Sequence, residues 1–240
     1  MSLAIDLGNT FAKAGVFDQE GRLLETYWKL SLQELLTCID QIQPHRGIIA
    51  STGLSEAELI QLLSEKIPQL LVLTPQTPLP IFKEYDTPHT LGSDRVAAAV
   101  GARSLFPKQN CVVIDMGTCI TYDYVDQNDL FQGGAISPGL RMRFKAMHSF
   151  TQRLPLVEMP ERFPSLVGKN TIHAMQSGVL NGLVAEVEGM IQQYRQIYPD
   201  FQVVLCGGDA TIFETRLKEP IFAAPELVLV GLYRILKYNV

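Results

Sequence analysis

The chain has 240 residues, 47% of them apolar, and a formal net charge of −5. That is enough apolar material for one large domain or two small ones, and an acidic balance without a basic run argues against a duplex-binding surface. No apolar run approaches the roughly 18 residues of a membrane span, and an N-terminus already acidic at Asp6 lacks the basic-then-apolar pattern of a secretory signal.

Residues 3–8, 11–18 and 22–28 read as three strands, with Gly21 of "DQEGR" as the positive-φ residue of the second turn. Ser31 is placed to cap a helix over "SLQELLTCIDQI". "GIIAST" reads as a buried strand, "SEAELIQLLSEKI" as a capped helix and "LLVLT" as a further strand. This order predicts a mainly parallel sheet with helices on its faces. The proline-rich "TPQTPLPIFKEYDTPHT" is a loop of a length that is usually functional or mobile. "LGSDRVAAAVGARSLF" follows as a helix with an alanine-rich face. Strands at 111–116, 119–125 and 129–136 then repeat the three-strand meander. "GGAISPGLRMRFKAMHSF" reads as a glycine turn, a strand end and a helix starting near Pro138, since proline is tolerated in a first turn. Residues 151–170 look irregular, and a long helix runs from about 171 to 198. "FQVVLCGGDA" is a strand, a glycine turn and a helix start, and "PELVLVGLYRILKY" is a closing apolar helix.

The two meanders form a weak internal repeat. Asp6 is followed by "DQ" at 18–19 and Asp115 by "DQ" at 126–127. Two related halves with a cleft between them are the economical expectation, divided into residues 1–107 and 108–240. Each half places an Asp-x-Gly turn at a strand end. An aspartate there can hold a hydrated cation, while the glycine lets backbone N–H groups approach phosphate oxygens and a threonine adds a donor. Asp6 with Gly8, Asn9 and Thr10 makes one such cradle, and Asp115 with Gly117 and Thr118 the other. No GxxxxGK[ST] loop and no GxGxxG after a strand is present. The glycines of "CGGDA" at 206–210 serve either a close approach to an adenosine or a plain strand-to-helix connection.

"DLGNT", "GSDR" at 92–95, "DMGT" at 115–118 and "GGAISPG" at 133–139 occur in that order. Together they make the chain resemble the type III, CoaX-like pantothenate kinases of the actin, hexokinase and acetate-kinase superfamily. The resemblance implies an α/β fold of two ribonuclease-H-like lobes, each a mixed sheet flanked by helices. It implies ATP-dependent phosphorylation of pantothenate, the first step toward coenzyme A, in a cytoplasmic homodimer with its active site near the subunit interface. It further implies Mg²⁺ and a monovalent cation, K⁺ or NH₄⁺. Carried onto this sequence, the ATP contacts are Asp6, Leu7, Gly8, Asn9, Thr10, Phe11, Ala12, Lys13 and Thr118. The pantothenate contacts are Tyr85, Gly92, Ser93, Asp94, Arg95 and Thr171, with Asp94 as catalytic base. Asp115 holds the monovalent cation and Asp6 holds Mg²⁺ through water. The alternatives are another small-molecule kinase of the superfamily, or a regulatory protein like the Bvg accessory factors.

The chemistry is coherent on residue types alone. Arg95 is suited to bind a carboxylate bidentately. An unperturbed aspartate titrates near 3.9 and is a feeble base for an alcohol. In a loose phosphoryl-transfer transition state, however, positioning and charge stabilisation dominate. Elsewhere, Ala174, Gly178, Gly182, Ala185 and Gly189 share one face of the long helix, which predicts close packing on the sheet or against the same helix of a second subunit. Cys38, Cys111, Cys119 and Cys206 read as reduced thiols, the four histidines have no metal-ligand spacing, and "RMRFK" at 141–145 reads as a solvated face or a phosphate contact.

Overall fold

Two hairpin turns and two capped helices organise the first hundred residues into a five-stranded sheet. In the computed structural model, which describes residues 1–8 and 11–240, these strands are β1 (Ser2–Leu7), β2 (Ala12–Phe17), β3 (Leu23–Leu30), β4 (Arg46–Ser51) and β5 (Gln69–Val72). Helix α1 (Leu32–Ile42) opens on a capping box of Ser31 with Glu34, and α2 (Glu56–Leu63) on one of Ser55 with Glu58. Each box satisfies backbone donors that a helix start would otherwise leave orphaned. Gly21 takes φ +89° in the β2–β3 turn, as expected.

The strand order is β3-β2-β1-β4-β5. β1–β2 and β2–β3 are antiparallel, and β1–β4 and β4–β5 are parallel. The sheet is therefore mixed, not mainly parallel as predicted. A short turn returns the chain antiparallel, and only the strand–helix–strand crossovers through α1 and α2 yield parallel pairs. Leu3, Ile5, Ala14 and Val16 pack with Leu35, Ile39, Leu59 and Leu63 in the core of this layer.

The second sheet contains β6 (Phe82–Lys83), β7 (Cys111–Met116), β8 (Cys119–Val125), β9 (Leu130–Pro138), β10 (Gln202–Cys206) and β11 (Phe222–Ala223), ordered β11-β10-β7-β8-β9-β6. Apart from β6, the order β9-β8-β7-β10-β11 repeats β3-β2-β1-β4-β5 strand for strand. The internal repeat is thus a repeat of topology, and β7 is the counterpart of β1. The proline-rich stretch is not all loop, because Phe82 and Lys83 pair in parallel with Leu130 and Phe131. Two residues carry no readable period, so neither β6 nor β11 is visible in the sequence.

The remaining helices are α3 (Ser93–Leu105), α4 (Leu140–Ser149), α5 (Thr171–Ile197), α6 (Ala210–Phe213) and α7 (Leu227–Tyr238). Pro138 closes β9 instead of opening α4, and the extended Gly139 stands at the N-cap. The alanine face of α3 meets α7 backbone to backbone, since a β-carbon on Gly231 would overlap the Ala97 carbonyl. By its internal contacts the chain divides into residues 1–109, 124–133 and 226–240 on one hand and 110–123 and 134–225 on the other, so α7 groups with the first sheet. No helix among the described residues is long and apolar enough to cross a membrane.

Candidate active site

The first cluster is built at the end of β1. Asp6 stands directly opposite Lys13 in the β1–β2 register, an opposite-charge cross-strand pair with 3.8 Å between Lys13 Nζ and Asp6 Oδ2. The Asp6 side chain is only 14% exposed. Burial pushes its pKa above the ordinary aspartate value, Lys13 pulls it back, and the charge of Asp94 pushes it up again. Asp6 and Asp94, predicted for one site, therefore do feel each other. Gly8 N–H donates to Phe11 O at 3.2 Å, and Thr52 N–H donates to Leu7 O at 3.2 Å, which ties down both sides of the turn. Phe11 is exposed and Ala12 buried. Asn9 and Thr10 lie outside the described residues.

"GSDR" opens α3. Gly92 is the N-cap, Ser93 the first helical residue and Asp94 the acid of the first turn. A β-carbon on Gly92 would sit 2.5 Å from Asp94 Oδ1, so glycine leaves the carboxylate its space. That oxygen accepts the Arg95 N–H at 2.8 Å. Arg95 is 6% exposed. Its guanidinium carbon lies 5.8 Å from the ring centroids of both Tyr85 and Phe131, and its Nη1 is 3.5 Å from the Tyr85 hydroxyl. Cation–π contact with two rings orients the guanidinium. Tyr85, expected as a substrate contact, thus also shapes Arg95. Phe131 was not singled out from the sequence, although the in–out alternation of β9 marks it as buried.

The second cluster is built at the end of β7, where Asp115 holds the same penultimate position that Asp6 holds in β1. Gly117 N–H donates to Cys119 O at 3.0 Å and closes the turn. Gly207, with φ +94°, follows β10. A β-carbon there would collide with Asp115 Oδ1 and come within 2.5 Å of Met116 N. Asp209 N–H donates to Met116 O at 3.0 Å. The "CGGDA" turn joins β10 to α6, as one of its two readings has it, and it also closes directly onto the Asp115 turn. Gly139 N–H donates to Thr118 O at 3.1 Å, and a side chain on Gly139 would overlap the carbonyls of Gly117 and Thr118. Three glycine motifs, "DMGT", "SPG" and "CGGD", meet here and leave Thr118 exposed.

The basic "RMRFK" segment is not simply a solvated face. Arg141 Nη1 pairs with the buried Asp209 at 2.5 Å, and Arg143 Nη2 pairs with Glu186 at 2.6 Å. Thr171, the first residue of α5, is exposed next to its N-cap Asn170. The small-residue stripe of α5 does not pack on the sheet: beyond the helix's own neighbouring backbone, no described atom lies within 4 Å of the β-carbon positions of Gly178, Gly182 and Gly189. The large residues Met175, Val179, Leu183, Val187 and Ile191 take the buried face instead.

Among the described residues no three His, Cys, Asp or Glu side chains gather as a metal cage. That donor set fits a hard divalent ion held by a single carboxylate, substrate phosphates and water, and Asp6 is suitably placed for it.

Comparison with known proteins agrees with this chemistry. A family model described as type III pantothenate kinase matches residues 2–193. A type III pantothenate kinase of Cytophaga hutchinsonii is 45% identical over 240 residues, covering 100% of both chains. That of Bacteroides fragilis is 45% identical over 241 residues, covering 100% of this chain and 98% of the relative. Two solved structures share the fold. A protein described as a Baf family transcriptional activator from Campylobacter jejuni has a TM-score of 0.63 at 22% identity, over 99% of this chain and 98% of that one. A ROK family glucokinase from Streptomyces griseus has a TM-score of 0.52 at 14% identity, over 96% and 97%.

Proposed function

We propose, starting from the fact that this chain belongs to the type III pantothenate kinase family, that Asp94 aligns the pantothenate alcohol for attack on the γ-phosphate of ATP. The chain is a kinase that phosphorylates pantothenate in coenzyme A biosynthesis. ATP is the phosphoryl donor. The observation that carries the assignment of Asp94 is its position: it sits in the first turn of α3, behind a glycine N-cap that leaves its carboxylate space, and directly before the buried Arg95. Arg95 grips the substrate carboxylate, and the rings of Tyr85 and Phe131 set its plane. Gly92, Ser93 and Thr171 complete the substrate contacts. On the nucleotide side, the segment Asp6–Lys13 and Thr118 bind ATP, with backbone donors of the Asp115 turn available to phosphate oxygens. Asp6 would hold Mg²⁺ through water and Asp115 would hold K⁺ or NH₄⁺, and ions bound there would neutralise charge on the phosphates. Proton transfer is late in such a transition state, and the main work of Asp94 is to hold the alcohol in line.

The test is turnover of ATP and pantothenate with Mg²⁺ and K⁺ present, repeated with Asp94→Asn. This variant keeps the shape and removes the basic oxygen, and turnover is expected to fall by about 10²–10⁴ with nucleotide binding retained. Full turnover in a folded Asp94→Asn protein removes Asp94 from this role.

The protein is further read as a cytoplasmic homodimer of chains with lobes at 1–107 and 108–240. The open stripe on α5 supports the dimer. It is flanked by Leu166, Val167 and Ile172, which are 77%, 72% and 49% exposed, and the first of these is tied to α5 by Ser177 Oγ donating to Leu166 O. Close approach of a second backbone would offset the roughly 1 kcal/mol that each interior glycine costs a helix. Gly182→Leu should convert the dimer to a monomer in sedimentation. An unchanged mass would send the dimer contact elsewhere.

A further inference from the structure

Arg143 is the most heavily engaged cation of the second cluster, and the roles carried over from the family leave it unassigned. It lies in the first turn of α4 and reaches back to the segment that delivers Gly139. Its Nε donates to Pro138 O at 2.8 Å and its Nη2 to Ser137 Oγ at 2.9 Å. The same Nη2 donates to Glu186 Oε2 on α5 at 2.6 Å. The other oxygen of Glu186 accepts the Tyr122 hydroxyl of β8 at 3.1 Å, and the Tyr122 carbonyl accepts the Tyr194 hydroxyl of α5 at 3.1 Å. Both charged side chains are mostly buried, 22% and 27% exposed. Every bond in this chain ends on a fixed element, and one end of it is the Ser137–Gly139 turn.

That turn seats the Thr118 backbone, because Gly139 N–H donates to Thr118 O at 3.1 Å with the two backbones in van der Waals contact. We propose that Arg143, held by Glu186, is a positioning residue that fixes the Ser137–Gly139 turn and through it the Thr118 phosphate cradle. The inference rests on reading the Asp115–Thr118 turn as part of the ATP site. A guanidinium suits this place because its rigid fork reaches the Pro138 carbonyl through Nε while Nη2 serves the Ser137 hydroxyl and the Glu186 carboxylate. Glu186 is held below the usual carboxylate range despite burial by the donors of Ser137, Arg143 and Tyr122, so it accepts from Arg143 as a carboxylate.

The experiment compares steady-state kinetics and nucleotide binding for Arg143→Gln, Arg143→Lys, Arg143→Gln with Glu186→Gln, and Thr118→Ala. The double variant leaves no stranded buried charge, so it guards against simple misfolding of the single one. Loosening a supporting contact should raise KM for ATP about tenfold while KM for pantothenate moves less than about twofold. Arg143→Lys should fall between wild type and Arg143→Gln. If Thr118→Ala weakens ATP binding but the folded double variant does not, the positioning role is wrong and the cradle stands. When neither affects ATP, the cradle reading fails and this inference falls with it. Equal changes in both KM values and kcat, tracking a lower Tm, would reduce Arg143 to a structural residue and overturn the proposal.

Discussion

Asp6 and Asp115 occupy the same place in two copies of one topology, each the penultimate residue of the first strand of a meander. Their surroundings differ in kind. Asp6 is held by charge, with Lys13 opposite it in the register and Asp94 pushing against it. Asp115 is crowded by backbone, with Gly207 packed against its carboxylate and Gly139 under the following threonine. A strand end can thus fix a carboxylate electrostatically or sterically. The two solutions should fail differently, the first in its response to pH and the second in its tolerance of a methyl group.

The largest effect belongs to the steric turn. Gly207→Ala places a β-carbon against Asp115 Oδ1 and the Met116 backbone while demanding φ +94° of an alanine. Backbone cannot yield as a side chain tip can, so strain and overpacking combine to cost about 3 kcal/mol or more. Urea denaturation should show a lower midpoint with unchanged m, and turnover should be lost as Asp115 shifts. Wild-type stability in Gly207→Ala would mean that the close approach to Asp115 is not what shapes this turn.

A smaller effect, of opposite sign, belongs to the electrostatic turn. The folded-state pKa of Asp6 lies above its ordinary value of 3.8. Between those two values the folded chain binds more protons than the unfolded one, so wild-type stability falls as pH rises through that window. Asp6→Asn has no such loss. It should be more stable than wild type at pH 7.5 and lose that advantage as pH drops toward 4, while its turnover is abolished. Thermal melts of both proteins across this range check it. A variant less stable than wild type at pH 7.5 would show that the Lys13 attraction outweighs burial and Asp94.

The electrostatic turn was also the more legible of the two. Asp6 and Lys13 are close in sequence and fall opposite each other once the hairpin is recognised. The capping boxes at Ser31 and Ser55 and the Gly21 turn are equally local signals. What shapes the Asp115 turn is not local: Gly139 reaches Thr118 across the β7–β8–β9 meander, and Gly207 reaches Asp115 only after the chain has built α4, α5 and β10. The same holds for Arg143, whose partner Glu186 lies on a different helix. Spacing alone could reveal that α5 has a small-residue face but not which way it points, and the large apolar residues of the opposite face decided that. Identification of pantothenate came from the order of four motifs and their likeness to a family. Spacing and periodicity yielded only phosphate chemistry.

The smallest effect separates shape needed for the fold from shape needed for the ligand. At Gly117 a β-carbon would lie 3.4 Å from Asp115 Oδ1 and 3.6 Å from Cys119 O, ordinary contacts, at a φ that alanine accepts. Gly117→Ala should therefore leave stability unchanged or raise it by about 0.5 kcal/mol through a less flexible unfolded chain. If Gly117 is glycine so that its backbone can approach a phosphate, the same methyl group should raise KM for ATP severalfold in a fully folded protein. Stability and nucleotide affinity would then part company around one carboxylate, since Gly207→Ala loses both and Gly117→Ala only the second. Should Gly117→Ala keep its affinity for ATP, the phosphate must approach the turn from the Thr118 side, where the exposed hydroxyl would be the contact to substitute next.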